Sequence, residues 1–171
     1  MIVLVPIGNV GKTILESLRY PLEEVFGQRT RISDSISLPQ GSWKQQRGQH
    51  LASSLSAKLP SPPSLNDRVL GVVDVDIFAS GLNFIFGEAD ITGRKALISL
   101  QRLRQEFYGL PQDENLFRER ALKEAVHELG HTYELGHCLD STCVMYFSNS
   151  LYDTDVKGWA FCPKCQEKYN I

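Results

Sequence analysis

Seven metal-binding side chains crowd into residues 127–165, and nothing else in the chain constrains its fold as tightly. His127, Glu128, His131 and His137 spell H-E-x-x-H-x5-H, while Cys138, Cys143, Cys162 and Cys165 spell C-x4-C-x18-C-x2-C. Three of the four histidines and all four cysteines are gathered there. Residues four apart on a helix project from one face on successive turns, so His127 and His131 can reach one ion only if that stretch is helical. His137 and Cys138 are adjacent, and a fold that assembles both sets must therefore place two metal sites side by side.

Imidazole and thiolate are the usual ligands of zinc, and two histidines on one helix supply a pair of ligands without ordering any loop. With His137 as the third ligand, the fourth tetrahedral position is left to water, whose pKa zinc lowers to about 7. Glu128 then has the place of a general base, taking the water's proton and passing it to a leaving amine. A charged, solvated helix face would account for H-E-x-x-H alone, but not for a third histidine ten positions after the first. Four cysteines close a tetrahedron with no open position, so Cys138, Cys143, Cys162 and Cys165 are expected to hold a structural zinc, giving two ions per chain. In a reducing compartment clustered cysteines serve as ligands more readily than as disulfides. His50, alone at the start of an expected helix, has no assigned role.

A chain of 171 residues, 42% hydrophobic, can bury enough surface for one compact domain spanning 1–171, whose segment 137–171 contains the structural zinc. The 18 basic and 20 acidic residues leave a formal charge of -2, which gives no electrostatic footing for nucleic acid or an anionic membrane. The cysteine-bearing segment repeats that balance, with Lys157, Lys164 and Lys168 against Asp140, Asp153, Asp155 and Glu167. The expected partner is a peptide or small peptide-like substrate, and the expected state a monomer. Met1–Gly8 lacks the basic region of a signal peptide and reads as a buried strand, and no apolar run reaches the length of a membrane span. A cytoplasmic location is the resulting expectation.

Apolar spacing places a strand at 1–7, a helix through Ile14, Leu15, Leu18, Leu22 and Val25, and a strand within 29–38. A helix is expected at 49–58, a central strand at 68–75, and further strands at 83–89 and 96–100. The last long helix should run over 115–134, with Leu122, Val126, Leu129 and Tyr133 toward the core. The order implies an α/β fold with a twisted mixed sheet packed by helices. Gly8-Asn9-Val10-Gly11-Lys12-Thr13 sits between strand and helix as a phosphate-binding loop would, but Pro6 occupies the place of the first glycine, and a plain turn is the better reading.

The run His127-Glu128-Leu129-Gly130-His131-Thr132-Tyr133-Glu134-Leu135-Gly136-His137, followed by Cys138, Cys143, Met145, Cys162 and Cys165, resembles the archaemetzincin family of metzincin metallopeptidases. The resemblance is strong over the C-terminal third and softer over 74–78 and 83–89. It implies a metzincin-like fold with an active-site helix and a zinc-stapled C-terminal segment. It also implies zinc-dependent peptide hydrolysis, with His127, His131 and His137 as ligands, Glu128 as base and Met145 in the Met-turn. Metzincins resemble H-E-x-x-H-x-x-G-x-x-H, and Glu134 stands where that glycine belongs; a left-handed glutamate costs about 1–2 kcal/mol. From Met145 to Cys162 there are 16 intervening residues, about one fewer than the family pattern, a difference a loop absorbs. A non-catalytic peptide-binding protein on the same scaffold, with a weak histidine site, is the alternative.

Overall fold

The computed structural model describes residues 1–169; Asn170 and Ile171, the end of the expected 137–171 segment, lie outside the described residues. In chain order the elements are β1 (Ile2–Ile7), α1 (Lys12–Phe26), β2 (Thr30–Ile32), β3 (Trp43–Lys44), β4 (Gln49–Leu51), α2 (Ala52–Ser56), β5 (Arg68–Val73), β6 (Ile77–Phe78), β7 (Gly87–Asp90), β8 (Lys95–Ser99), α3 (Glu114–Thr132), α4 (Leu151–Val156) and α5 (Pro163–Tyr169). A mixed five-stranded sheet has the order β2-β1-β5-β8-β7. Its first four strands are parallel, and β7 pairs antiparallel with β8 at the edge.

Every residue of β1 is buried because both faces of the sheet are covered, as its unbroken apolar run requires. Ile2, Leu4, Leu70, Val72 and Ile98 meet Leu18 and Leu22 of α1 and Ala125 and Leu129 of α3 on one face. Val3, Val5, Val69, Val73 and Leu97 meet Leu55 and Leu59 on the other. α3 thus lies along the sheet over β5 and β8 and reaches the edge strand β7. The turn after β1 is an ordinary one, with Gly8 at φ 73° and Gly11 preceding α1 without a side-chain cap. Among the described residues no helix is long and apolar enough to cross a membrane.

Three expected elements are shorter than their patterns suggested. The strand within 29–38 is confined to Thr30–Ile32, with one isolated bridge at Ile36. The expected helix at 49–58 begins only at Ala52, because Gln49–Leu51 is drawn into a second, three-stranded sheet of order β3-β4-β6. There His50 pairs with Ile77, its Nδ1 lies 2.7 Å from the Ser42 hydroxyl, and Gln49 Nε2 donates to Asp76 and to the Asn83 carbonyl. The expected strand at 83–89 forms only from Gly87. Its first half is held by side chains instead, since the Arg47 guanidinium donates to the carbonyls of Leu82 and Asn83 at 2.8 and 2.9 Å.

The C-terminal segment has few aliphatic residues, and aromatic packing docks it. Phe161 and Tyr169 pack edge-on against Phe26 of α1, while Tyr169 also meets Tyr133 with ring centres 4.6 Å apart.

Candidate metal centres and cleft

α3 ends in a Schellman turn, and this turn organises the histidines. The Leu135 N–H donates to the Gly130 carbonyl at 3.2 Å and the Glu134 N–H to the His131 carbonyl at 2.9 Å. Such a turn requires a left-handed residue, usually glycine; here Glu134 takes it at φ 65°. The strain anticipated at Glu134 is therefore present, yet ring nitrogens of His127, His131 and His137 still lie within 4.8 Å of one another.

Two backbone carbonyls set the ring orientations. Leu135, just past the turn, accepts from His131 Nδ1 at 2.7 Å, and Val144 accepts from His127 Nδ1 at 2.8 Å. Each bond fixes the proton on Nδ1 and leaves Nε2 with a bare lone pair. The two Nε2 atoms lie 3.1 Å apart. Two lone pairs so close repel unless a cation sits between them, and tetrahedral zinc bonded at about 2.1 Å separates its nitrogens by about 3.4 Å. The donor set fits zinc.

Burial grades across the triad from His127, 4% exposed, to the exposed His137, so one side opens to solvent. Desolvation, helped by the Lys157 charge, pushes His127 down to about 2, and desolvation also lowers His131 and His137. All three rings are thereby neutral and able to ligate.

His127 and Glu128 lie in a cleft of about 230 Å³, walled by residues 82–87 on one side and 147–149 on the other. Burial pushes the Glu128 carboxyl well above the ordinary carboxylate range, with Glu124 and Glu88 adding to the effect and Lys157 opposing it. Gly87 gives Glu128 its space: a Cβ there would come within 2.6 Å of Glu128 Cγ and of the Leu97 carbonyl oxygen. Met145 is fully buried beneath the helix, and a Cβ on Gly130 would meet its Sδ at 2.5 Å. The small residue inside H-E-L-G-H lets that methionine press against α3.

The four cysteines come together as their spacing predicted. All are free thiols, and their sulfurs lie within 4.8 Å of one another, Cys138 and Cys162 at 3.8 Å. Four sulfurs bonded to zinc at about 2.3 Å stand about 3.8 Å apart. Burial pushes the Cys143 and Cys165 thiols up. At Cys162 desolvation acts the same way but is outweighed by the Cys165 backbone N–H and neighbouring thiols, which lower it. Four sulfurs so packed become thiolates only against a cation, and this set also fits zinc. The Cys138 N–H donates to the Met145 carbonyl at 2.9 Å, joining the cysteine cluster to the floor of the histidine cluster.

Sequence reasoning passed over Gly87, Gly130, Glu124 and Lys157. Lys157, completely buried, pairs with Glu124 at 3.0 Å, and Thr154 donates to the same Glu124 oxygen at 3.1 Å. No spacing rule joins Glu124 to Lys157; the available signal was that Glu124 precedes His127 by one helical turn.

The family model described as peptidase family M54 matches residues 14–170. The archaemetzincin of Methanocaldococcus jannaschii is 48% identical over 163 residues, covering 95% of this chain and 89% of the relative. That of Pyrococcus abyssi is 46% identical and covers 98% and 93%. Among solved structures, the Archaeoglobus fulgidus archaemetzincin, complexed with malonate, is 34% identical, with a TM-score of 0.86 and coverage of 98% and 99%. A zinc-dependent peptidase from Methanocorpusculum labreanum, 27% identical, reaches a TM-score of 0.90 over 99% of this chain and 100% of that one.

Proposed function

This chain belongs to peptidase family M54, the archaemetzincins, and is a zinc metallopeptidase; on that premise we propose that His127, His131 and His137 hold the zinc of the cleft, with Glu128 as general base. Cys138, Cys143, Cys162 and Cys165 hold the second, structural zinc, and all of this falls within one domain over 1–171. The convergence of three neutral imidazoles, two of them oriented by carbonyl acceptors, carries the reading. Zinc in the histidine site supplies a Lewis acid that polarises a carbonyl and makes water acidic near neutral pH.

The chain's own residues do the rest. Glu128 accepts a proton from the attacking water as the water oxygen bonds to the scissile carbonyl carbon, and returns it to the amine nitrogen as the carbon–nitrogen bond breaks. Residues 84–87 line the cleft and lead into the free edge of β7, along which an extended peptide can align; Arg47 already occupies the carbonyls of Leu82 and Asn83, so the available edge begins at Phe84. Against a purely binding role stands Glu134, which adopts the turn without scattering the ligands.

Glu128→Gln keeps the shape of the side chain and removes the base. Its peptide cleavage should fall by about 10²- to 10⁴-fold, with two zincs per chain retained by elemental analysis. Undiminished cleavage would remove Glu128 from the mechanism.

A further inference from the structure

The cleft beside the histidine triad ends in a carboxylate that the hydrolytic scheme leaves unused. Glu124 lines this cleft and is only 3% exposed. Thr154 Oγ1 donates to its Oε1, and the Lys157 ammonium stands 3.0 Å from the same oxygen as an ion pair. Oε2 accepts no hydrogen bond from the described residues and is not sealed from solvent, so it stays open to the cleft. A ligand that fills the cleft strips water from this oxygen, and one that brings no donor leaves it unpaired at a cost.

The walls around this oxygen are aromatic. Phe84 and Phe86 stand edge to face with ring centres 5.3 Å apart on one side of the cleft, and Phe147 lines the other. The space, about 230 Å³, is below the roughly 300–1,000 Å³ that holds a whole drug-sized ligand, and so suits one side chain. The charge of the floor narrows the choice further. Lys157 already neutralises Glu124 from behind, fully buried and at 3.0 Å; a second cation on the same carboxylate would face that ammonium in a low-dielectric recess and be repelled. A neutral donor on an aromatic body meets every condition.

We propose that Glu124 is a specificity residue, and that the recess selects a substrate tyrosine whose ring packs between the aromatic walls and whose hydroxyl donates to Glu124 Oε2. Phenylalanine fills the same walls but leaves the oxygen unpaired. Arginine and lysine bring a charge that Lys157 opposes. A hydrogen bond to a charged acceptor separates tyrosine from phenylalanine by about ten- to a hundredfold.

This proposal rests on the reading of the cleft as the substrate site, and a binding measurement tests the two separately. Matched peptide hydroxamates carrying tyrosine or phenylalanine at each position flanking the metal-binding group are titrated calorimetrically into the zinc-loaded protein, so that turnover plays no part. The tyrosine compound should bind at least tenfold more tightly at one position. In Glu124→Gln that ratio should fall toward one. Because E124Q strands the Lys157 ammonium, the double variant E124Q/K157M is measured beside it, and the ratio within each protein is unaffected by a general loss of affinity. Equal binding of the two compounds, or a tyrosine preference that survives in both variants, overturns the role of Glu124. Failure of every hydroxamate to bind overturns the cleft assignment itself, and the proposal with it.

Discussion

At the level of single residues, two groups are held in states that an isolated amino acid would refuse. Glu134 is left-handed at φ 65° and exposed, so its side chain offsets little of the strain. Glutamate to glycine at this position should stabilise the protein by about 1 kcal/mol, raising Tm by roughly 2–4 °C, and should tighten zinc retention against a chelator. An unchanged Tm would mean that the turn carries no strain. His127, at about 2 in the fold against 6.5 unfolded, refuses a proton that the unfolded chain accepts. Its contribution to stability is complete above pH 6.5 and declines as pH falls toward 2; for the metal-free protein the loss is about 2 kcal/mol at about pH 5. Glu128, raised by burial, acts in the opposite sense, so the comparison with H127Q isolates the imidazole. Between about pH 6.5 and 5, the Tm of the metal-free protein should fall more steeply than that of H127Q, and parallel curves would contradict the burial of a neutral ring.

Among the elements, the edge strand β7 and the helix α3 define the working space together, and Gly87 is their point of contact. Gly87→Ala should displace the Glu128 side chain and lower kcat at least tenfold, while zinc content, read by elemental analysis, stays at two per chain; a normal kcat would show that β7 yields easily. This contact also marks how far a sequence can be read. The histidine and cysteine sets were legible because ligands obey fixed spacings on a helix or in a knuckle, and β1 and β5 because burial on both faces demands unbroken apolar runs. Gln49–Leu51 and residues 83–86 were not. Their course is decided by Asp76, Arg47 and each other across 27 to 36 positions, and local apolar pattern carries no trace of such partners. Glu124 and Lys157 were hidden for the same reason, since each alone reads as an ordinary solvated charge.

Across the whole molecule, the two metal clusters share a backbone. The Cys138 N–H to Met145 carbonyl bond and the Tyr146 N–H to Cys143 carbonyl bond, both 2.9 Å, tie the cysteine cluster to the methionine that underlies α3. Cys162→Ser should therefore release not one zinc but both under mild chelation, the histidine zinc leaving at least tenfold faster than in the parent protein when followed with a chromophoric chelator. An unaltered rate would make the two sites independent. Aromatic docking extends the tie to α1, where the Tyr169 hydroxyl donates to the Phe26 carbonyl across 143 positions. Translated into the order of synthesis, this arrangement acts as a delay. His127, His131 and His137 are made before Cys162 and Cys165, so the cysteine cluster beside them can close only after the histidines are in place. A chain still in synthesis thus lacks the ties that complete its own cleft.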